Sequence, residues 1–263
     1  MKIFFAGAHD GSNTDALLKY CGHHRLGDEC YTFGHESFDV VFTNNGRLVE
    51  GVPGRLKINT QHGNLFLGDT RPEPQYGINL ALAASESEKA MMVGNGYRSQ
   101  DVWVTGQPRT DLLHKAVQDY SVRVKYLESA GMDVAKPTIL YAPTYSRQAF
   151  GGGHKLFFAS STNEICDKNT MMSLLQLCDS LNCNLIIRMH KYIKREYQGH
   201  LLPHYLQDLL NTWSDVNIDI HDNEMYPDSI PVLVASDILI TDFSSIAADF
   251  LALDREIVFI DPQ

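Results

Sequence analysis

The chain has 263 residues, 44% of them apolar and 21% charged, enough for a substantial core in one or two domains. Its formal net charge is −10, spread unevenly: residues 1–118 hold 11 basic and 13 acidic side chains, residues 119–263 hold 11 and 19. That balance argues against a protein whose main task is gripping nucleic acid, which carries a basic footprint.

Short apolar runs alternate with helical segments along the whole chain. "KIFFAGA" (2–8) predicts a first strand, and "HDGSNTDALLKYC" a turn into a helix, where Ser12, Asn13 and Thr14 each suit an N-cap. "FDVVFTNN", "RLKINTQHG", "INLALAAS" and "DVWVTGQP" continue the strand series. "SESEKAMMVGNGY" predicts a helix ending at Gly94 or Gly96, and 109–131 a longer helical stretch that divides into two. A second series follows: strands in "PTILYAPTY", "CNLIIRMH", "VNIDIHD" and "SDILIT", with helices in 169–182, 202–214 and "SIPVLVAS". Strands alternating with helices imply a mostly parallel sheet covered on both faces. Two such series predict two doubly wound, Rossmann-like lobes, 1–118 and 119–263, with a cleft between them.

Five cysteines with no Cys-x-x-Cys fit reduced thiols in a cytosol. No signal peptide is read at Met1–Ala8, and no apolar run approaches the roughly 20 residues of a membrane span. "CGHHRLGDEC" (21–30) matches no common zinc spacing, so no metal site is expected there. The glycine run "GGGHK" (151–155) is a loop able to fold over a ligand, and a weak signal by itself.

Polar residues gather where strands end, the edge at which parallel sheets bind ligands. They are His62, Arg109 with Asp111, Thr144 with Ser146 and Arg147, Arg188 with His190 and Lys191, and Asp242 with Ser244 and Ser245. In "TDFSS" a helix start offers unpaired N–H groups, and two hydroxyls exceed what one cap needs. The alternative is simple capping by Asp242 or Ser244. Asp249, one turn on, suits ribose hydroxyls or, alternatively, solvent. His62 before Gly63 suits a general base, or a satisfied loop histidine. Arg188 and His190 alternate at period two, so both face one way and suit an anion, or simply stand exposed at a strand end.

In this order, "TQHGN", "VTGQPRTDLL", "TILYAPTYSR", "LIIRMHKY", "MYPDSIPVLVASDILITDFSSIAADF" and "IVFIDPQ", spanning 59–263, resemble the CDP-glycerol:polyglycerophosphate glycerophosphotransferase family. The resemblance implies a GT-B fold, with 1–118 as the acceptor-side lobe and 119–263 as the nucleotide-donor lobe. It implies that His62 is the base for the acceptor hydroxyl and that His190, with Arg188, lies by the donor diphosphate. Ser244 and Ser245 would contact the donor phosphates, Asp249 the ribose, and Pro108, Arg109 and Asp111 would match a stretch near the cleft. Where the family reads "HGTP" this chain has His62-Gly63-Asn64-Leu65, "RMHP" ends in Lys191, and Phe243 replaces a tyrosine. Family members have a longer first lobe and continue past the equivalent of Gln263, so a reduced or a truncated form is expected.

The implied reaction moves glycerol phosphate, or a related polyol phosphate, from a CDP-activated donor to a hydroxyl of a cell-surface polymer or glycan and releases CMP. The expected partners are that donor and a polyol-phosphate or glycan acceptor, lipid-linked at the cytoplasmic face, with at most peripheral membrane contact, no nucleic acid and no cofactor. Two alternatives stay open: a nucleotide-sugar glycosyltransferase or UDP-sugar 2-epimerase on the same fold, and a nucleotide-binding relic without turnover.

Overall fold

The computed structural model describes residues 3–7, 12–20, 37–61, 76–143, 168–188, 204–213, 215–222, 226–242 and 244–260. The chain forms two compact units, Met1–His114 and Lys115–Gln263, each built on a parallel sheet with five strands among the described residues.

In the first unit the strands are β1 (Ile3–Ala6), β2 (Phe38–Thr43), β3 (Gly54–Asn59), β4 (Leu80–Ala83) and β5 (Val102–Val104). They lie side by side in chain order, β1-β2-β3-β4-β5, with Ile3 opposite Val40 and Ile58 opposite Leu80. Helix α1 (Asn13–Tyr20) follows β1, α2 (Glu86–Gly94) follows β4 and α3 (Pro108–Val117) follows β5. One core gathers Ala6, Val41, Val49, Val52 and Ile78; a second joins Ala81, Ala83, Met92, Tyr97 and Val102. Gly54 is held to glycine by packing, since a Cβ there would stand 2.7 Å from Val41 Cγ2.

The second unit has α4 (Tyr120–Ser129), β6 (Thr138–Tyr141), α5 (Lys168–Leu181), β7 (Asn184–Arg188), α6 (His204–Asn211), β8 (Ile218–His221), α7 (Ile230–Ala235), β9 (Ile238–Thr241), α8 (Ile246–Leu251) and β10 (Glu256–Phe259). Here the order is β10-β9-β6-β7-β8, so the chain reverses direction across the sheet between β6 and β9. The central strands β6 and β7 are apolar and buried almost throughout, as strands covered on both faces must be. Helix α5 turns Met171, Leu174, Leu175 and Cys178 inward at helical spacing, onto Ile139, Leu185 and Ile187. Cys178 and Cys183 are free thiols in that core, and burial pushes both above the usual thiol range.

The amino edge of this sheet is stapled by Arg123 of α4. Its guanidinium donates to both carboxylate oxygens of Asp237, at 3.1 and 3.0 Å, and to the carbonyls of Lys136 and Ala235. Asp237 Oδ2 also accepts from Thr138 N–H at 2.8 Å, so one ion pair ties α4 to the starts of β6 and β9. Arg255 covers the last carbonyls of α7, Val234 at 2.9 Å among them, where the helix itself has no donors left.

Candidate functional site

All pairings in each sheet are parallel, so each sheet's strand ends line one edge. In the second unit the reversal between β6 and β9 opens that edge, the position at which doubly wound sheets accept ligands. The two strand ends are locked together by the Thr241 hydroxyl, which donates to Ala142 O at 2.6 Å, and by Ala142 N–H, which donates to Ile240 O. Thr144 and Arg147, which follow β6 in the chain, lie outside the described residues, as do His190 beyond β7, His62 beyond β3, and the 21–30 and 151–155 segments.

The β9–α8 turn carries Asp242, Ser244 and Ser245 to this edge. Asp242 Oδ1 accepts from Ser244 N–H at 3.0 Å and Ser244 Oγ from Ile246 N–H at 3.5 Å, so aspartate and the first serine shape the turn. Ser245 stands at the head of α8 and makes no side-chain cap bond. The capping alternative therefore accounts for Asp242 and in part for Ser244, not for Ser245. Helix α8 has six residues, too few for a sizeable macrodipole. Asp249 is 8% exposed, which removes its alternative as a solvated helix residue.

Arg188 ends β7, next to β6. The sequence left open that it simply stands exposed; instead its guanidinium is deeply buried, and Nη1 has no hydrogen-bond partner among the described residues. Burial lowers its pKa to about 10, opposed by the fields of Tyr126 and Asp228. A buried guanidinium nitrogen with no acceptor is costly to keep, and an anionic ligand is the group that would satisfy it.

Beside Arg188 lies a network the sequence reading missed. His221, its register partner on β8, has Nδ1 2.6 Å from the hydroxyl of Tyr126, and that hydroxyl donates to Asp219 Oδ2 at 2.9 Å. His221 Nε2 faces Tyr226 O at 3.3 Å. Burial and the adjacent Arg188 push His221 down to about 4, while burial pushes Asp219 up. Tyr126 has one hydroxyl hydrogen, so one of its two partners must bring its own proton. The signal available in sequence was slight: polar residues alternating with isoleucine in "NIDIHD", nothing more.

In the first unit, the ends of β1, β2 and β3 hold a buried polar knot. Ser12 is the N-cap of α1, its Oγ accepting from Asp15 N–H at 3.0 Å and its carbonyl from Ala16 N–H. Asn13 and Thr14, which had looked like alternative caps, reach across the sheet instead. Asn13 Nδ2 donates to Thr60 O at 2.9 Å and Gln61 O at 3.3 Å, and Asn13 Oδ1 accepts from Arg109 N–H at 3.2 Å. The Thr14 hydroxyl meets that of Thr60 at 2.8 Å, and Thr60 donates onward to Thr43 O. Gly7, at φ +71, leaves room for Asn44, whose Nδ2 donates to Gly7 O at 3.0 Å; a Cβ there would collide with the amide.

Arg109 and Asp111 sit in the first turn of α3, with Arg109 Nε donating to Gln107 Oε1 at 3.2 Å. Glu88, buried after β4, was also missed, although "SESE" spells a capping box. Its Oε2 accepts from Ala84 N–H, while Oε1 is buried with no hydrogen-bond partner among the described residues; burial raises its pKa, opposed by Arg109. No group of three or more His, Cys, Asp or Glu suited to a metal ion occurs among the described residues.

The profile of the CDP-Glycerol:Poly(glycerophosphate) glycerophosphotransferase family matches residues 42–263. A teichoic acid poly(glycerol phosphate) polymerase of Bacillus spizizenii is 35% identical over 159 residues, which cover 60% of this chain and 34% of that protein. The teichoic acid ribitol-phosphate polymerase TarK of Staphylococcus aureus is 24% identical over 164 residues, 62% of this chain and 28% of that protein. The chain thus spans about a third or less of the length of these relatives. Among solved structures, the wall teichoic acid polymerase TagF superposes with a TM-score of 0.61 at 16% identity, covering 98% of this chain and 69% of that one. UDP-GlcNAc 2-epimerase from Neisseria meningitidis, bound to UDP-GlcNAc, gives 0.56 at 16% identity, covering 94% and 71%. At such identities these likenesses speak for the fold, which is GT-B-like.

Proposed function

The chain belongs to the CDP-Glycerol:Poly(glycerophosphate) glycerophosphotransferase family, and from that premise we propose that it transfers glycerol phosphate, or a related polyol phosphate, from a CDP-activated donor to a hydroxyl of a cell-surface polymer, releasing CMP. The observation that carries the reading is the reversal point of the second sheet. Beside it a buried arginine nitrogen with no acceptor among the described residues ends β7, and a serine that makes no side-chain cap bond follows β9.

We assign the donor to the second unit and the acceptor to the first. Ser244, Ser245, Arg188, Thr144 and Arg147 hold the diphosphate, with Asp242 shaping the serine turn. Asp249, buried on α8, takes the ribose hydroxyls. His62 draws the proton from the acceptor hydroxyl. The freed oxygen attacks the phosphorus bearing glycerol, the bond from that phosphorus to the CMP oxygen breaks, and the electron pair leaves with CMP. Charge grows on the departing phosphate, where Arg188 and protonated His190 stabilise it. Arg109 lines the acceptor side.

No helix among the described residues is long and apolar enough to cross a membrane. Work at the cytoplasmic face, on a lipid-linked acceptor, is the setting we propose.

The test is a ligand-dependent shift in melting temperature across CMP, CDP, UDP, CDP-glycerol, CDP-ribitol and UDP-sugars, with Ser244→Ala/Ser245→Ala beside the wild type. Stabilisation by cytidine nucleotides that the variant loses is the expected result. A preference for uridine would replace this reading with nucleotide-sugar chemistry, and no shift with any nucleotide would remove it.

A further inference from the structure

The second residue of helix α3 is capped from a distant part of the chain. Pro108 has no N–H to satisfy, but Arg109 does, and helix geometry gives the first-turn amides no partner. The partner is Asn13 Oδ1, 96 residues away in the chain. The same amide group turns both Nδ2 hydrogens onto the backbone after β3, one to Thr60 O and one to Gln61 O. Asn13 is 1% exposed, so water does not compete for these bonds. Its orientation is unambiguous: flipping the amide would face an oxygen with two carbonyls and an NH2 with an N–H.

Gln61 is the second link. Its φ is +64, the left-handed region that a non-glycine residue occupies at a cost of about 1 kcal/mol or more. Such a backbone persists only when its surroundings hold it. Asn59 Oδ1 accepts from Gln61 N–H at 2.9 Å, and Asn13 Nδ2 donates to Gln61 O. The peptide carbonyl that Asn13 grips belongs to the bond joining Gln61 to His62.

We propose that Asn13 is a positioning residue for transfer: one buried amide sets the start of α1, the end of β3 and the start of α3 in mutual register, fixing the backbone that leads into His62 relative to Arg109. The inference rests on the proposed role of His62 as the base. Asparagine is required at this place because it alone, at this size, presents two donors and one acceptor together. Aspartate has no donor to offer, and serine is too short to span three backbone segments.

The test compares full-length wild type with Asn13→Asp, which keeps the acceptor for Arg109 N–H and removes both donors. Val49→Ala, a cavity in the same unit's core, serves as the stability control. Three quantities are measured: CMP release from CDP-glycerol with a poly(glycerol phosphate) acceptor, the dissociation constant for CDP-glycerol, and the melting temperature. Asn13→Asp is expected to lower kcat about 10- to 100-fold with donor affinity unchanged, the size of loss that small misplacement produces. Val49→Ala should lose melting temperature without losing kcat. If Asn13→Asp retains kcat, or if kcat and donor affinity fall together, the proposal is overturned.

Should Asn13→Asp fail to fold, hydrogen exchange on the wild type decides the geometry. The Arg109 amide should be as protected as the strand amides, and exchange at the rate of a free first-turn amide would overturn the proposal. His62→Ala runs beside these variants. If it keeps turnover, the assigned base and this inference fall together. If it loses turnover while Asn13→Asp keeps it, only this inference falls.

Discussion

The two units use the same parallel α/β grammar and build different strand edges from it. The second sheet reverses between β6 and β9, and its strand ends hold Arg188, whose Nη1 has no hydrogen-bond partner among the described residues, His221, whose pKa burial lowers, and Ser245, which makes no side-chain cap bond. The described strands of the first sheet run in chain order without a reversal, and its edge is closed by neutral amides and hydroxyls bonded to one another. Among the described residues, the buried cationic atom without a hydrogen-bond partner at a strand end of the second unit is Arg188 Nη1, while the first unit buries an unpartnered carboxylate oxygen at Glu88. The difference teaches that one parallel α/β pattern can end its strands either in a charged, reversed edge or in a closed knot of neutral polar groups.

The sharpest way to break the comparison is to remove one histidine from each unit. His62→Ala and His190→Ala should each reduce turnover by about 10²- to 10⁴-fold, the range for positioned proton-transfer groups. His62→Ala should leave CDP-glycerol affinity intact, whereas His190→Ala should weaken it, as titration of binding against single-turnover rates will reveal. Equal losses of stability and activity would end the proposed assignment of donor and acceptor to separate units.

Arg188→Met should act in opposite directions on two readouts. Removing a buried cation whose Nη1 has no hydrogen-bond partner among the described residues should raise the melting temperature of the ligand-free chain. It also weakens CDP-glycerol binding on the order of 100-fold, measured by calorimetry. Loss of both would assign Arg188 to the scaffold instead.

At the opposite edge of the same sheet, Arg123→Ala should cost about 3 kcal/mol in denaturant unfolding, because it takes from Asp237 its bidentate cation and from the Lys136 and Ala235 carbonyls their guanidinium donor. Donor affinity measured on the folded fraction should not change.

The smallest effect is a pH dependence. His221 has a folded pKa of about 4, below its unfolded value near 6.5. Below pH 6.5 the unfolded chain takes up a proton that the folded chain refuses, so the histidine's contribution is whole above 6.5 and is lost as pH falls towards 4. The loss should be on the order of 2 kcal/mol. Asp219, raised by burial, works in the opposite sense, so the quantity to measure is the difference between wild type and His221→Gln across pH 4 to 7. A flat difference would deny that His221 is buried neutral beside Arg188.

What the sequence determined by itself was the alternation of elements and which polar residues follow the strands. Strands such as "TILY" and "NLIIR" are legible because a strand covered on both faces must be apolar wherever it lies in the sheet. The position of Arg109, Arg188 and the Asp242–Ser245 turn at or just beyond the ends of strands was legible because polar residues mark where such apolar runs end. Tertiary structure decided the rest. Strand order, and with it the reversal between β6 and β9, depends on which segments meet, and no local pattern encodes that. Whether Asp249 and Arg188 are solvated or buried depends on what packs over them. Asn13 reads locally as one more helix cap, and becomes the pin between the start of α1, the end of β3 and the start of α3 only when residues 47, 48 and 96 positions away fold back onto it. Hydrogen bonds of that span leave no periodic trace in a sequence, because each partner is an ordinary backbone group that every residue carries.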